Sequence, residues 1–400
     1  MQLFRLLSQA LGFFVAAKLF SSSVFADLAL IYSVAAVTLP LVFMGLDYKV
    51  FILVSEEKFT PMHFRVYSRT VTILSLVFIS VATLFSRELL NLNVIVIILF
   101  YSLEILLTAT YNMFALLYLT KKKHFSSALV STIPPLSRLI AIVTTFALIQ
   151  DTYSLESLVL TQFIIISFPT VMVLYKLKKL FRTSIFSYSP DATSAKSLDG
   201  FSFFTTVFFR SVQNDADKVF LARFTTDLIF LSYLIMARVS QIFYLFMTSL
   251  YSYWSPYLLS PQVILSEKLE KIHSLRGRFS LISASTCIFG DTLSRFLIPH
   301  LFPNYDASLE YSHYFFITLF FSSMTFFNLE NLTVLGVNKA RAILQSVSGT
   351  FQVVGLAVLM YLNAFTVFNI LYFSLANYFF TFVLSWLLVK RSINLKRGML

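Results

Sequence analysis

The sequence predicts an all-α integral membrane protein of about twelve transmembrane helices, and three features carry that prediction. Of its 400 residues, 58% are hydrophobic and only 12% charged, too apolar a balance to leave a soluble fold with a polar surface. Apolar stretches of roughly twenty residues, enough to cross a hydrocarbon core of about 30 Å, recur from one end to the other. Lys and Arg fall into alternate loops, the pattern produced when cationic loops are held on the cytoplasmic side.

Hydropathy, with the positions of charges and prolines, places the first six spans near 3–20, 28–54, 66–86, 92–119, 127–149 and 155–175. The other six fall near 200–222, 228–258, 278–301, 312–337, 343–362 and 366–389. At the start, Arg5, an apolar run and Val24-Phe25-Ala26 imitate a cleavable signal peptide. Lys18 interrupts that run and spans continue downstream, so an uncleaved first helix is expected. The second and eighth spans are long enough to call for tilt or extension beyond the bilayer. After the sixth, a segment that is first basic and then rich in Ser, Thr and Asp, with Pro190, reads as a cytoplasmic linker. Two six-helix lobes follow, 1–180 and 200–400, joined by 181–199. Ala17-Lys18-Leu19-Phe20-Ser21-Ser22 after the first span resembles Ala222-Arg223-Phe224-Thr225-Thr226 after the seventh, as internal duplication would give.

Orientation follows from the loops. One side carries clusters such as Lys121-Lys122-Lys123, Lys268 to Arg278 and Lys390 to Arg397, whereas the opposite loops carry Arg87 and Arg223. The alternation holds throughout only for an even number of spans with both termini cytoplasmic. The formal net charge of +12 then reflects topology and attraction to anionic headgroups, with no nucleic-acid partner needed.

An ionisable side chain at mid-bilayer costs about 2.5–3.5 kcal/mol on insertion scales, so each calls for a partner or a wet cavity. Arg138 lies in the fifth span, Arg210 in the seventh and Arg238 in the eighth, with Glu104 and Glu330 in the fourth and tenth. On the seventh span Arg210, Asn214, Asp217 and Lys218 are spaced by four, seven and eight and share one helical face. Arg238, Gln241 and Tyr244 share a face of the eighth. Two readings stand side by side. Asp215, Asp217 and Glu104 neutralise neighbouring cations in buried pairs, or the set lines a hydrated cavity whose positive bias favours an anionic substrate. Lys18, Arg223 and Arg295 lie near outer span ends, where their stems can snorkel.

Several chemistries have no signature. There is no Gly-x-x-x-x-Gly-Lys phosphate loop, no His-Glu-x-x-His and no Gly-x-Ser-x-Gly. His63, His124, His273, His300 and His313 fall in loops or at span ends, and the single Cys287 excludes an internal disulfide framework and multi-cysteine zinc. No metal or cofactor is expected, and no enzymatic activity.

The stretch Asn214-Asp215-Ala216-Asp217-Lys218-Val219-Phe220-Leu221-Ala222-Arg223-Phe224, then Tyr233, Arg238, Gln241, Ser249, Trp254 and Pro256, resembles the start of the second lobe in polysaccharide flippases of the O-antigen and capsule type. Ser8-Gln9, Gly45-Leu46-Asp47, Leu301-Phe302-Pro303-Asn304-Tyr305 and Gly336-Val337-Asn338-Lys339 resemble that family in order and position. The chain departs from it in the first lobe, where Lys18 and Asp47 are the charged anchors that can be placed. The resemblance implies membership of the multidrug/oligosaccharidyl-lipid/polysaccharide exporter superfamily: two lobes in a V of the MATE type, alternately open to either side of a bacterial inner membrane. The implied substrate is undecaprenyl-diphosphate carrying an oligosaccharide repeat unit, and the implied partners are a polysaccharide polymerase and a chain-length regulator. On this reading Arg138, Arg210, Lys218 and Arg238 contact the diphosphate or acidic sugars. Asn214 and Gln241 bind sugar hydroxyls, and Asp217 and Glu104 serve proton or cation coupling.

Other functions remain open. A membrane polysaccharide polymerase or ligase handles the same substrate but calls for a long outer loop, and the outer loops here span roughly six to twelve residues. A drug or cation exporter of the same fold calls for an acidic or apolar cavity, and a peptidoglycan-precursor flippase is a nearer relative.

Overall fold

The computed structural model describes residues 2–55, 60–88, 93–120, 123–148, 154–180, 201–259 and 263–397. The expected linker at 181–199 lies outside them. Regular structure among the described residues is helical throughout. In order come α1 (Gln2–Leu19), α2 (Ser22–Phe43), α3 (Leu46–Ser55), α4 (Pro61–Arg87) and α5 (Val94–Tyr101). A π-helical turn (Ser102–Leu107) joins α5 to α6 (Thr108–Thr120), and α7 (His124–Leu148) and α8 (Leu155–Leu180) follow. Then come α9 (Phe201–Phe224), α10 (Asp227–Leu259), α11 (Leu265–Leu301), a 3-10 segment (Pro303–Tyr311), α12 (Ser312–Val334), α13 (Asn338–Tyr361) and α14 (Val367–Arg397). Each of the twelve expected spans has a helical counterpart, and among the described residues nine helices are long and apolar enough to cross a membrane. The helices missing from those nine include α9 and α12, whose sequences carry Arg210 to Lys218 and Asn328 to Asn331.

Local chemistry explains two of the ends. Thr60 and His63 close a reciprocal cap at the start of α4, the His63 amide donating to Thr60 Oγ1 at 3.4 Å and the Thr60 amide to His63 Nδ1 at 3.1 Å. At the end of α12 the Val337 amide reaches back to Leu332 O at 2.8 Å, and Gly336 adopts φ +73°. That closure needs a left-handed residue, which glycine adopts without a Cβ penalty. Gly336-Val337 is therefore a helix stop.

Three boundaries differ from the sequence reading. The expected second span, 28–54, begins at Ser22 and breaks at Met44 and Gly45, both at positive φ, so α3 is separate. The ninth starts at Leu265 rather than near 278 and runs for 37 residues, about 55 Å at 1.5 Å per residue. Its extra turns are amphipathic: Leu269, Ile272, Leu275 and Phe279 are buried against Tyr251, Leu258 and Phe327, and charged residues occupy the other face. Tyr257 of α10 bonds Glu267 of this extension, and Lys271 lies 5.9 Å from the Tyr257 ring centroid. The last span continues to Arg397.

The chain divides into two compact units, Met1–Ser211 and Val212–Leu400, with the division inside α9. In the first, α2 packs on α4 and the π turn, α4 on α5, α6 on α7, α7 on α8 and α5 on α8. In the second, α10 packs on α11 and α12, α11 on α12, α12 on α13, α13 on α14 and α12 on α14. Numbered within its own half, each pairing of the second unit repeats one of the first, the packing order expected of a duplicated six-span bundle.

Candidate functional site

The polar side chains inside the spans gather in separate clusters. In the first unit the π turn carries Glu104, whose side chain is 8% exposed. Arg138 of α7 donates Nε to Glu104 Oε1 at 3.2 Å and Nη2 to Oε2. Its guanidinium lies 4.2 Å from the ring centroid of Tyr32 on α2, a cation–π contact. Gln162 of α8 completes the group, its Nε2 3.3 Å from Glu104 Oε1. A π turn adds a residue to one turn of the helix and is common at functional positions. Nothing in the residue types of Ser102–Leu107 signals it.

In the second unit α9 is the polar helix. Lys218 Nζ lies 2.5 Å from Asp215 Oδ1 and 2.5 Å from the Asn214 carbonyl, with both ionic side chains largely buried. Asp217 accepts from the Tyr233 hydroxyl of α10 and, at 2.9 Å, from the Lys218 amide. Asn214 accepts from the Tyr378 hydroxyl of α14. Arg210 and Arg238 are half-buried, and Arg238 donates to Gln241 Oε1 at 2.6 Å. Lys18, Arg223 and Arg295 are exposed, at span ends.

The structure thus brings Arg138 to Glu104 and Lys218 to Asp215 in buried pairs, and Arg238 to Gln241 on one helix face. Asp217 faces Tyr233. Each buried pair satisfies its own charge, which matters because an isolated ion in so dry a setting is costly.

Other polar groups escaped the sequence reading. Arg341, which falls between the expected tenth and eleventh spans, is buried at the start of α13 and pairs with Glu330 at 2.7 Å while donating to Thr333. A ladder of side-chain bonds joins α13 to α14: Gln352 to Ser374 at 2.9 Å, Asn377 to Gln352 at 2.8 Å, and Ser348 to Thr381 at 2.7 Å. Gln345 donates to Gln213 of α9 at 2.9 Å. The signal was present: Gln345, Ser348 and Gln352 share one face of α13, and Ser374, Asn377, Thr381 and Ser385 one face of α14. Among the described residues no group of three His, Cys, Asp or Glu side chains could hold a metal ion.

No protein-family model matches the sequence, and no curated protein does. Solved structures do. A mutant of VcmN, a MATE transporter of Vibrio cholerae, is similar at a TM-score of 0.64 over 98% of this chain and 94% of that one, with 12% identity. A multidrug resistance MATE family transporter of the MOP superfamily is similar in its outward-facing conformation at 0.63, with 11% identity over 99% and 96% of the two chains. An inward-facing conformation gives 0.60, with 12% identity over 97% and 95%. The fold is that of the MATE transporters. Identity this low establishes the architecture alone, and similar folds serve unrelated substrates.

Proposed function

We propose that this chain is a flippase that carries polyprenyl-diphosphate-linked oligosaccharide from the cytoplasmic to the outer leaflet by alternating access. The observation that carries the reading is the pairing of a MATE-type fold with cations in its spans, above all Arg210 and Arg238, half-buried on α9 and α10. A phosphate-bearing headgroup cannot cross hydrocarbon alone, and guanidinium groups bind diphosphate oxygens through paired charge-assisted bonds. Asn214 and Gln241 supply neutral hydrogen-bonding groups beside those cations, suited to sugar hydroxyls. The sequence resemblance to O-antigen and capsule flippases points to the same substrate, and the loop charges support a cytoplasmic side for both termini.

The test is deletion of the gene followed by analysis of surface glycan and of lipid-linked repeat units. A flippase mutant loses the first and accumulates the second. In complementation, Arg210→Ala and Arg238→Ala lose export at normal protein levels, and Lys at either position restores part of it. Unchanged export in an alanine variant removes that residue from the site.

A second reading, an exporter of drugs or organic cations, has in its favour that multidrug resistance transporters share the fold. Uptake of a radiolabelled organic cation into proteoliposomes, absent with a lipid-linked glycan, would establish it instead.

A further inference from the structure

Where α11 approaches the end of α14, two cations meet a tryptophan and no anion answers them. Arg276 of α11 lies 5.2 Å from the ring centroid of Trp386 on α14, and Lys390, one turn further along α14, lies 5.5 Å from it. A cation–π contact uses the charge of a guanidinium but leaves its in-plane N–H donors free for other partners. Among the described residues nothing accepts a hydrogen bond from Arg276 or from the Trp386 indole, and neither cation reaches a carboxylate. The acids of this part of α11 are placed elsewhere: Glu267 accepts from Tyr257, and Glu270 lies more than one turn along the helix from Arg276. Arg276 is nevertheless half-buried, where donors without acceptors cost free energy. Arg138, Lys218 and Arg341 show the contrast, since each of those buried cations holds a carboxylate.

The surface that leads to this cluster is apolar. Phe379, Val383, Trp386 and Lys390 are spaced by four, seven and eleven residues and share one face of α14. Beside them packs α12, with the Phe321 ring centroid 5.3 Å from that of Phe379 and Ile317, one turn away, exposed as Phe379 is. From Phe379 to Lys390 the helix rises about 16 Å, close to the roughly 15 Å of hydrocarbon in one leaflet. An acyl chain laid along that face puts its phosphate at the level of Trp386, and tryptophan prefers the headgroup depth of a bilayer. Lys268, Lys339 and Arg391 lie toward the same end of the unit, so the leaflet concerned is the one beside the basic loops.

We propose that Arg276, Lys390 and Trp386 form a binding site for one anionic phospholipid of that leaflet, its phosphate held by the two cations and an acyl chain laid over Phe379 and Phe321. The guanidinium donates paired N–H bonds to phosphate oxygens while keeping its contact with the ring. Occupancy ties the amphipathic start of α11 to the end of α14, whatever substrate the protein carries. Diffuse attraction between a basic face and anionic headgroups depends on no particular residue; this site depends on two.

The experiment uses the full chain with Trp254→Phe, which leaves Trp386 as its only tryptophan. The protein sits in phosphatidylcholine nanodiscs containing a minor fraction of phospholipid brominated on its acyl chains near the headgroup, and bromine quenches a tryptophan that it touches. Brominated phosphatidylglycerol should quench Trp386 with an affinity at least about tenfold above that of brominated phosphatidylcholine, since each cation near a membrane surface is worth about fivefold. Arg276→Gln and Lys390→Gln should each lose about fivefold, and together should abolish the preference. Should Arg276→Gln fail to fold, Lys390→Gln, at an exposed side chain, carries the same test. Lys268→Gln/Lys339→Gln removes as many charges from the same end of the unit but none from the site, and should keep the wild-type preference. Equal quenching by the two brominated lipids overturns the proposal. So does a Lys268→Gln/Lys339→Gln variant that loses as much preference as the double site variant, because the attraction is then diffuse. Relief of quenching by undecaprenyl diphosphate at a lower fraction than unbrominated phosphatidylglycerol also overturns it, by assigning the cluster to a polyprenyl substrate.

Discussion

Replacing Lys218 by Met separates a cation held for folding from one held for substrate. Lys218 Nζ is 2.5 Å from Asp215 Oδ1, and the two side chains are 8% and 12% exposed. Removing the lysine leaves Asp215 buried and unpaired two residues from Asp217. Breaking such a pair on one side costs about 3–5 kcal/mol, while replacing both partners by apolar residues of similar volume is close to neutral. For a unit of this size each kcal/mol moves the melting temperature by about 2–4 °C, so Lys218→Met should lower it by about 6–20 °C. Lys218→Met/Asp215→Leu should recover most of that loss, giving a coupling of at least about 2 kcal/mol in the cycle. The readout is thermal denaturation in detergent followed by intrinsic fluorescence of Trp254 and Trp386. Additive single effects, with coupling within about 0.5 kcal/mol of zero, would refute the argument that the pair is a closed structural unit. Export per folded molecule by the double variant then asks whether Lys218 has a second role toward the substrate.

Further substitutions probe packing and backbone. A Cβ on Gly355 of α13 would lie 1.8 Å from Phe373 Cζ of α14, so Gly355→Ala should cost about 1–3 kcal/mol by overpacking, read as a lower melting temperature. At Gly336 a Cβ meets nothing within 4 Å, but φ is +73°; Gly336→Ala should cost about 1–2 kcal/mol from the backbone alone, and Gly336→Asn should cost less. On α14, Trp386 has Arg276 at 5.2 Å and Lys390 at 5.5 Å from its ring centroid. Each contact should be worth about 0.5–1 kcal/mol, and a double-mutant cycle of Trp386→Leu with Arg276→Gln measures it.

The number and kind of helices could be read from the chain because a span needs only length and apolarity, and those are local. Several boundaries could not. The residues from Leu265 to Gly277 mix Glu267, Lys268, Glu270 and Lys271 with Leu269, Ile272 and Leu275, and hydropathy averages such a stripe to a loop. Gly45 sits in an apolar run that a continuous helix would also tolerate, and only the positive φ at Met44 and Gly45 reveals a stop. Residue identity gave the intramembrane charges, and the possibility that Asp215 and Glu104 neutralise cations followed from spacing and composition. The choice among partners depends on how each helix is rotated about its axis. Glu104 meets Arg138 because the π turn changes the register of its side chain, and Arg341 is buried because α13 starts beside the end of α12. Neither can be deduced from spacing along one helix.

Three ion pairs of the described residues share one further property: their partners are near in sequence. Asp215 and Lys218 are on a single helix, Glu104 and Arg138 on consecutive spans, and Glu330 and Arg341 on either side of one short turn. A nascent chain entering the bilayer hairpin by hairpin can therefore neutralise each charge almost as soon as it leaves the translocon. An unpaired group would cost about 2.5–3.5 kcal/mol at the bilayer centre, and here none of these six must await a distant part of the sequence. Moving one partner of such a pair to a remote span should leave the finished protein's charge unchanged but make its biosynthesis inefficient.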